Sequence, residues 1–354
     1  MQKKKNKLKN RIIIFLLLLG ILILFHLRKK NTKKVGIISV RHESNIGNNL
    51  LKYAISIKIS ELGYIPYIVG TVWKEHNNIE FIKNTTNLVI IKNNFSEIRP
   101  DDYDILMVNS DQTWYKFDKN FYDYGFLRFA ENWTIPKFIY GTSFLTDFWP
   151  FSKEDEEIAK KLLTKFSGIS VREKDSVELI KKHLGLNSEF VVDPTFLIDK
   201  KHYLNLIKGF KDKIANKGPY IFVYHIGHSR YIINLVKEAK KKFNFEINYF
   251  SLNNGSSIQN FLYYLINSKA VITNSFHGTI FSILFNKPFI SIYKKGIKKR
   301  FNTLSYLFNI SERLLMFGQK PNYDLLIQPL NINHSLLIKQ RKKSINFLQK
   351  NLNI

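Results

Sequence analysis

Cysteine is absent from all 354 residues, which removes disulfides, thiolate zinc sites, iron–sulfur ligation and a cysteine nucleophile from the chemistry open to this chain. A cysteine-free chain suits a reducing compartment and a disulfide-free secretory one equally, so compartment stays open. Acids are scarce: 28 Asp and Glu stand against 55 Lys and Arg, for a formal charge of +27. The first 34 residues hold eleven bases and no acid, and the remainder still carries +16. Such an excess points to nucleic acid, anionic lipid or anionic substrates. The lysines are scattered through a chain rich in Asn, Lys and Ile, and no nucleic-acid-binding module accompanies them, so no nucleic-acid partner is expected. A metal cluster is not expected either, because His225 and His228 have no matching carboxylate nearby. Short repeats are missing, and no low-complexity tract occurs beyond the N-terminus.

With 45% hydrophobic and 14% aromatic residues most of the chain is expected to fold, and its length favours two domains. Ile12 to Leu27 is an almost unbroken apolar run, IIIFLLLLGILILFHL, bounded by Arg11 and by Arg28, Lys29 and Lys30. At 16 residues it is short for a membrane span, but flanking Lys and Arg can snorkel. A single-pass membrane anchor is the expected reading. A cleaved signal peptide lacks a small-residue processing site here, and an interfacial helix would need a polar face. Basic residues flank both ends nearly equally, so the positive-inside rule leaves the side of the large domain, cytoplasmic or Golgi-lumenal, undecided. Six sequons, at Asn84, Asn94, Asn132, Asn254, Asn309 and Asn333, are expected by chance in an Asn-rich chain and do not settle it.

Beyond the anchor, short runs rich in Val, Ile and Phe alternate with stretches of helical spacing, the pattern of parallel sheets with crossover helices. The fold class is α/β. Strands are expected at 34–40, 66–69, 88–91, 105–109, 138–142, 168–172 and 190–192, then at 220–225, 247–251, 270–274 and 289–293. Helices are expected at 48–62, 152–166, 175–184, 231–243, 259–267, 279–285 and 335–352, the third ending before Gly185. The expected organisation is a tail and anchor over 1–34, one Rossmann-like domain over 35–207 and a second over 218–354 that includes the terminal helix.

Ligands bind such sheets outside the carboxyl ends of the strands, and four loops there carry polar chemistry. After the first strand, Arg41, Asn45, Gly47 and Asn48 lie in a loop that runs into a helix. It reads either as an anion-binding helix N-terminus with Arg41 adding charge, or as a plain capped turn. After the strand ending near Val108 come Asn109, Ser110, Asp111, Gln112 and Trp114, which suit sugar hydroxyls and a stacking face, or a structural turn. Arg172 ends another strand, free to fork onto phosphate or carboxylate or to pair with Glu173 or Asp175. The nearby Val192-Asp193-Pro194-Thr195 turn reads as architectural. Finally, Thr273 to Thr279 ends a strand and opens a helix. His277 there is the best proton donor in the chain, and Ser275, Gly278 and Thr279 offer an anion-binding helix start. Downstream, Lys294, Lys295, Lys298, Lys299 and Arg300 could extend a positive mouth, although most of them read as a solvated charged loop.

Taken in order, SNIGNNLLKYAI, YDILMVNSDQTW, ISVREKDSVELI, VVDPTF and ITNSFHGTIFSILFNKPFI resemble the polysaccharide pyruvyl transferase family over roughly residues 34 to 315. The resemblance implies a fold like the two-Rossmann type B glycosyltransferases, an active site between domains, and transfer of a pyruvyl group from phosphoenolpyruvate to a sugar of a polysaccharide, glycolipid or glycan. It implies that Arg172 contacts the donor and His277 is catalytic. Ser275 and Phe276 depart from an Arg-Leu pair found before this histidine in some members, and Asn109 stands where Gly is common. The implied chemistry needs no redox cofactor: phosphoenolpyruvate is the co-substrate, a general acid protonates its methylene, and two sugar hydroxyls close a ketal. The alternatives are a nucleotide-sugar-dependent glycosyltransferase and a non-catalytic glycan-binding relative.

Overall fold

A computed structural model describes residues 32–39, 45–70, 89–91, 95–109, 111, 113–115, 121–211, 218–227, 229–251 and 257–353. Two all-parallel sheets organise them. The first has seven strands in the order β3-β2-β1-β4-β5-β6-β7: β1 Lys34–Ile38, β2 Ile65–Gly70, β3 Val89–Ile91, β4 Ile105–Val108, β5 Lys137–Thr142, β6 Gly168–Val171 and β7 Glu189–Phe190. The second has five, β12-β11-β10-β8-β9: β8 Tyr220–Tyr224, β9 Glu246–Phe250, β10 Ala270–Thr273, β11 Phe289–Tyr293 and β12 Leu314–Met316. In each, the strand order reverses once, between β1 and β4 and between β8 and β10, and the crevice at such a reversal is where ligands enter parallel sheets. The central strands are apolar on both faces because both are covered: β4 reads ILMV and β10 AVIT, every residue buried.

Local chemistry sets the helix ends. The helices are α1 Ile46–Glu61, α2 Phe121–Phe126, α3 Lys153–Leu163, α4 Ser176–Leu184, α5 Lys200–Leu206, α6 Arg230–Phe243, α7 Ile258–Asn267, α8 Phe276–Leu284, α9 Lys298–Phe308 and α10 Ser335–Leu352. A capping box of Ser152 and Asp155 starts α3. Gly185, at φ 70°, closes α4 in the left-handed conformation that its lack of a Cβ permits. One apolar cluster runs from Val35 and Met107 in the first sheet through Tyr203 to Phe222 in the second and Phe281 of α8. The outer faces hold separate clusters, around Trp114 and Phe126 for the first sheet and Val223 and Ile272 for the second.

The parallel α/β class expected from the sequence is what these sheets show, with several corrections. Residues 298–308 form α9 rather than a solvated charged loop, because Phe301, Leu304, Leu307 and Phe308 give them one buried face. β12, α2 and α5 were not expected; they are short and carry little periodicity. α8 starts at Phe276, three residues before the expected Thr279, because Ser275 caps it. The terminal helix α10, grouped by sequence position with the second half, packs on the first sheet. Phe347 meets the rings of Phe138 and Tyr140, Ser344 accepts from the Val192 N–H at 3.0 Å, and Asn351 accepts from Ser167. The apolar run at 12–27 lies outside the described residues, and among those described no helix is long and apolar enough to cross a membrane.

Because α10 returns across the chain to cover β5, Phe347→Ala is expected to destabilise the fold by about 3–5 kcal/mol, read as a lowered denaturant midpoint. A change below 1 kcal/mol would mean that α10 docks independently of its central aromatic.

Candidate active site between the two sheets

The carboxyl ends of β4 and β6 carry a buried ion cluster. Arg172, directly after β6, donates one nitrogen to Asp111 and another to Asp193. Its stem lies over Gly141, where a Cβ would stand 3.2 Å from its Cγ; Gly141 has φ 61° and marks a register shift in β5. Arg300, from the first turn of α9, donates its Nη2 to the same Asp111 oxygen at 2.6 Å, and its Nε stands 3.6 Å from Glu173. Asp147, after β5, brings α9 to this place by accepting from the N–H groups of Lys298 and Lys299 at 3.0 and 2.7 Å. Phe276 lies against both guanidiniums, 4.2 Å from Arg300 and 6.0 Å from Arg172.

His277 sits on the first turn of α8, 3% exposed. Gly47, on the first turn of α1, provides its seat: a Cβ there would lie 2.2 Å from Nδ1. Its Nε2 has no hydrogen-bond partner and stands 3.8 Å from Asp193, itself anchored by the Thr195 N–H and hydroxyl at 3.0 and 2.6 Å. Asn274 brackets the opposite strand end, accepting from the Ile226 N–H at 2.7 Å and donating to its carbonyl at 2.9 Å.

These groups open onto a cavity of about 500 Å³ whose walls include Asn45, Asp111, Asn274, Ser275, His277 and Arg300. Arg230 and Lys294 add exposed positive charge, and Tyr231, Phe301 and Phe317 add aromatic surface. The starts of α6, capped by Ser229, and α8, capped by Ser275, both line it. Two helix N-termini and three cations make this cavity suited to an anionic ligand.

Electrostatics divide the cluster. Burial alone would raise Asp111, but Arg300 and Arg172 outweigh it and hold the carboxyl well below its usual range. Asp193 is lowered in the same way, by Arg172, His277 and the Thr195 bonds against burial. In Arg172 the three surrounding carboxylates outweigh burial and raise the pKa. Burial wins at Glu173, which is raised, and at His277, which is lowered despite Asp193 and Asp111 pulling upward. The cluster therefore keeps two ionised carboxylates on two arginines and favours a neutral imidazole in the cavity wall.

The candidate residues part company in the structure. Asn45, Asp111, Ser275 and His277 meet at the cavity. Arg172 and Gly47 lie one layer behind; the Arg172 Nη1 and Nη2 are taken by Asp193 and Asp111, neither of which was its expected partner. Asn48 is buried with both amide atoms unpartnered. Gly278 and Thr279 face inward rather than toward a ligand: a Cβ at 278 would meet Thr273 Oγ1 at 2.4 Å, and the Thr279 hydroxyl bonds Ser275 and Ser291. Arg41, Ser110 and Gln112 lie outside the described residues. Trp114 presents no stacking face; it is fully buried, its Nε1 donating to Gly125 at 3.0 Å. Asn109 donates to the Tyr140 carbonyl at 2.8 Å and ties β4 to β5. Asp193 was read as architectural and Phe276 and Asn274 were given no role of their own; Arg300 was expected at most to extend a positive mouth, and the apolar helical spacing that follows it was the available signal for its buried place.

A model of the polysaccharide pyruvyl transferase family matches residues 18–295. Among solved structures, the chain is similar to UDP-GlcNAc 2-epimerase from Methanocaldococcus jannaschii in complex with UDP-GlcNAc and UDP, at 13% identity over 89% of this chain and 99% of that one, with a TM-score of 0.52. It is also similar to MnaA of S. aureus, solved with UDP, at 12% identity over 90% of this chain and 91% of that one, TM-score 0.52. Likeness at these identities shows a shared two-sheet α/β fold. No curated protein matches the chain.

Two outcomes test this geometry. Gly47→Ala drives a methyl into the imidazole, so turnover is expected to collapse with the far-UV spectrum retained; unchanged kcat would show that the ring has room to move. Below about pH 6.5 the unfolded chain takes up a proton at His277 that the folded chain resists, so wild-type stability falls as pH drops through that window. His277→Gln is expected to lose less stability than wild type between pH 7 and 5, measured by thermal melts; parallel losses would place the imidazole in contact with water.

Proposed function

Because the chain belongs to the polysaccharide pyruvyl transferase family, we propose that this enzyme transfers a pyruvyl group from phosphoenolpyruvate to a sugar of a surface polysaccharide, glycolipid or glycan as a cyclic ketal. The observation that carries this reading is the unpartnered Nε2 of a buried His277 in the wall of a cavity rich in positive charge. Phosphoenolpyruvate brings a carboxylate and a phosphate, which suit Arg300, Lys294, Arg230 and the two helix starts. Its negative charge beside His277 favours the protonated imidazole that burial alone disfavours. His277 then gives its Nε2 proton to the enol methylene, which becomes the methyl group. C2 turns electrophilic and accepts one sugar hydroxyl, phosphate departs, and a second hydroxyl closes the ring as protons leave both oxygens. Asp193, 3.8 Å from Nε2, stabilises the imidazolium before transfer.

The acceptor side is supported by the aromatic wall of Tyr231, Phe301 and Phe317, since sugar rings present apolar C–H faces to such surfaces. Residues 12–27 complete the reading as a single-pass anchor that keeps the enzyme near a membrane-borne acceptor. Carbonate extraction tests that anchor; release of full-length protein into the soluble fraction would remove it.

Incubation with labelled donors separates the reactions. Pyruvate incorporation with release of phosphate is expected; sugar transfer from a nucleotide sugar would replace the reading with a glycosyltransferase. His277→Ala is expected to lower kcat by about 10²- to 10⁴-fold with little change in melting temperature, and His277→Gln not to restore it, because an amide supplies no acid. Near-normal kcat in the Gln variant would place the proton donor elsewhere.

A further inference from the structure

We infer that Asp111 is an internal stand-in for a ligand carboxylate, and that Arg172 and Arg300 exchange it for the carboxylate of the bound donor. The inference rests on the donor reading above. One oxygen of Asp111 accepts from a nitrogen of each arginine, an arrangement a substrate carboxylate would reproduce. Neither arginine uses its full fork. The Nε of both is buried without a hydrogen-bond partner, although the Arg300 Nε stands 3.6 Å from Glu173, so the departure of Asp111 leaves each arginine its Nε and Nη2 edge for an incoming anion.

Charge balance at the two arginines favours the exchange. Asp111 and Asp193 already match the two arginines, and Glu173 adds a further carboxyl. A donor carboxylate entering with Asp111 in place would find both guanidiniums already matched, leaving it the exposed Lys294 and Arg230 of the cavity wall. Swapping one carboxylate for another keeps both arginines paired, and the displaced Asp111 carboxylate turns into the water of the open cavity that it lines.

Attachment decides which carboxylate gives way. Asp193 is tied to Thr195 by two hydrogen bonds and lies away from the cavity, whereas Asp111 faces the cavity from the turn after β4. The arginines have supports that outlast its departure: Arg300 rests on the Phe276 ring, and Arg172 keeps Asp193. Arg300 reaches this oxygen from the second sheet's side and Asp111 from the first, so the exchange also replaces a direct bond across the cleft by one that passes through the ligand.

Calorimetric titration of the full chain tests this with phosphoenolpyruvate and, separately, malonate. Asp111→Asn keeps the shape and removes the charge, so the Kd for phosphoenolpyruvate is expected to fall at least about tenfold. Asp111→Glu keeps the charge, pushes it a methylene further between the arginines, and is expected to raise the same Kd, which covers the case in which the Asn variant does not fold. A Kd unchanged or weakened in a folded Asn variant, or unchanged in the Glu variant, overturns the proposal. If malonate binds the Asn variant more tightly than wild type while phosphoenolpyruvate binds neither, the stand-in holds and the donor reading falls.

Discussion

Arg172 and Arg300 share one oxygen of Asp111 in a place almost closed to water, and the two sides of the cleft meet there. Two guanidiniums this deep in a fold cannot stand unpaired, since stranding either costs several kcal/mol. Their carboxylates must therefore be delivered to within hydrogen-bond reach, and much of the local structure serves that delivery. The bulge at Gly141 makes room for the Arg172 stem. Asp147 holds the start of α9 so that Arg300 enters from the other sheet, and Thr195 fixes Asp193.

His277 depends on the same convergence. It belongs to α8 of the second sheet, yet it rests on Gly47 of α1, which follows β1 of the first. Burial in that contact favours the neutral imidazole, while Asp193 and Asp111 limit how far its pKa falls. A ligand that brings negative charge shifts this balance toward the acid form. The same cluster that stabilises the closed site thereby sets the protonation state from which the chemistry starts.

Much of the architecture was legible along the chain. β11 and α10 have the expected limits because each is a continuous pattern with clear ends, a short apolar run in one and 18 residues of helical spacing in the other. The strand ends carrying Asp111, Arg172 and His277 stood out because polar residues follow buried strands at the mouth of a parallel sheet. α9 was missed since the bases at its start mask a buried apolar face. Trp114 was misjudged because indole serves a core and a sugar platform equally well, and only its surroundings, Phe126, Phe144 and the Gly125 carbonyl, distinguish them.

The sequence by itself determined the α/β class, the positions of most strands and helices, and the residue types able to hold anions and move a proton. These are local properties, set by periodicity, capping and side-chain chemistry over windows of ten to twenty residues. Which carboxylate meets which arginine was decided by tertiary structure: Asp111 and Arg300 are 189 positions apart, and nothing local records their meeting. The same holds for Gly47 beneath His277 and for α10 crossing back to the first sheet. In each case the partner is chosen by the packing of two sheets against one core, where a charge or a methyl group has a single place to go.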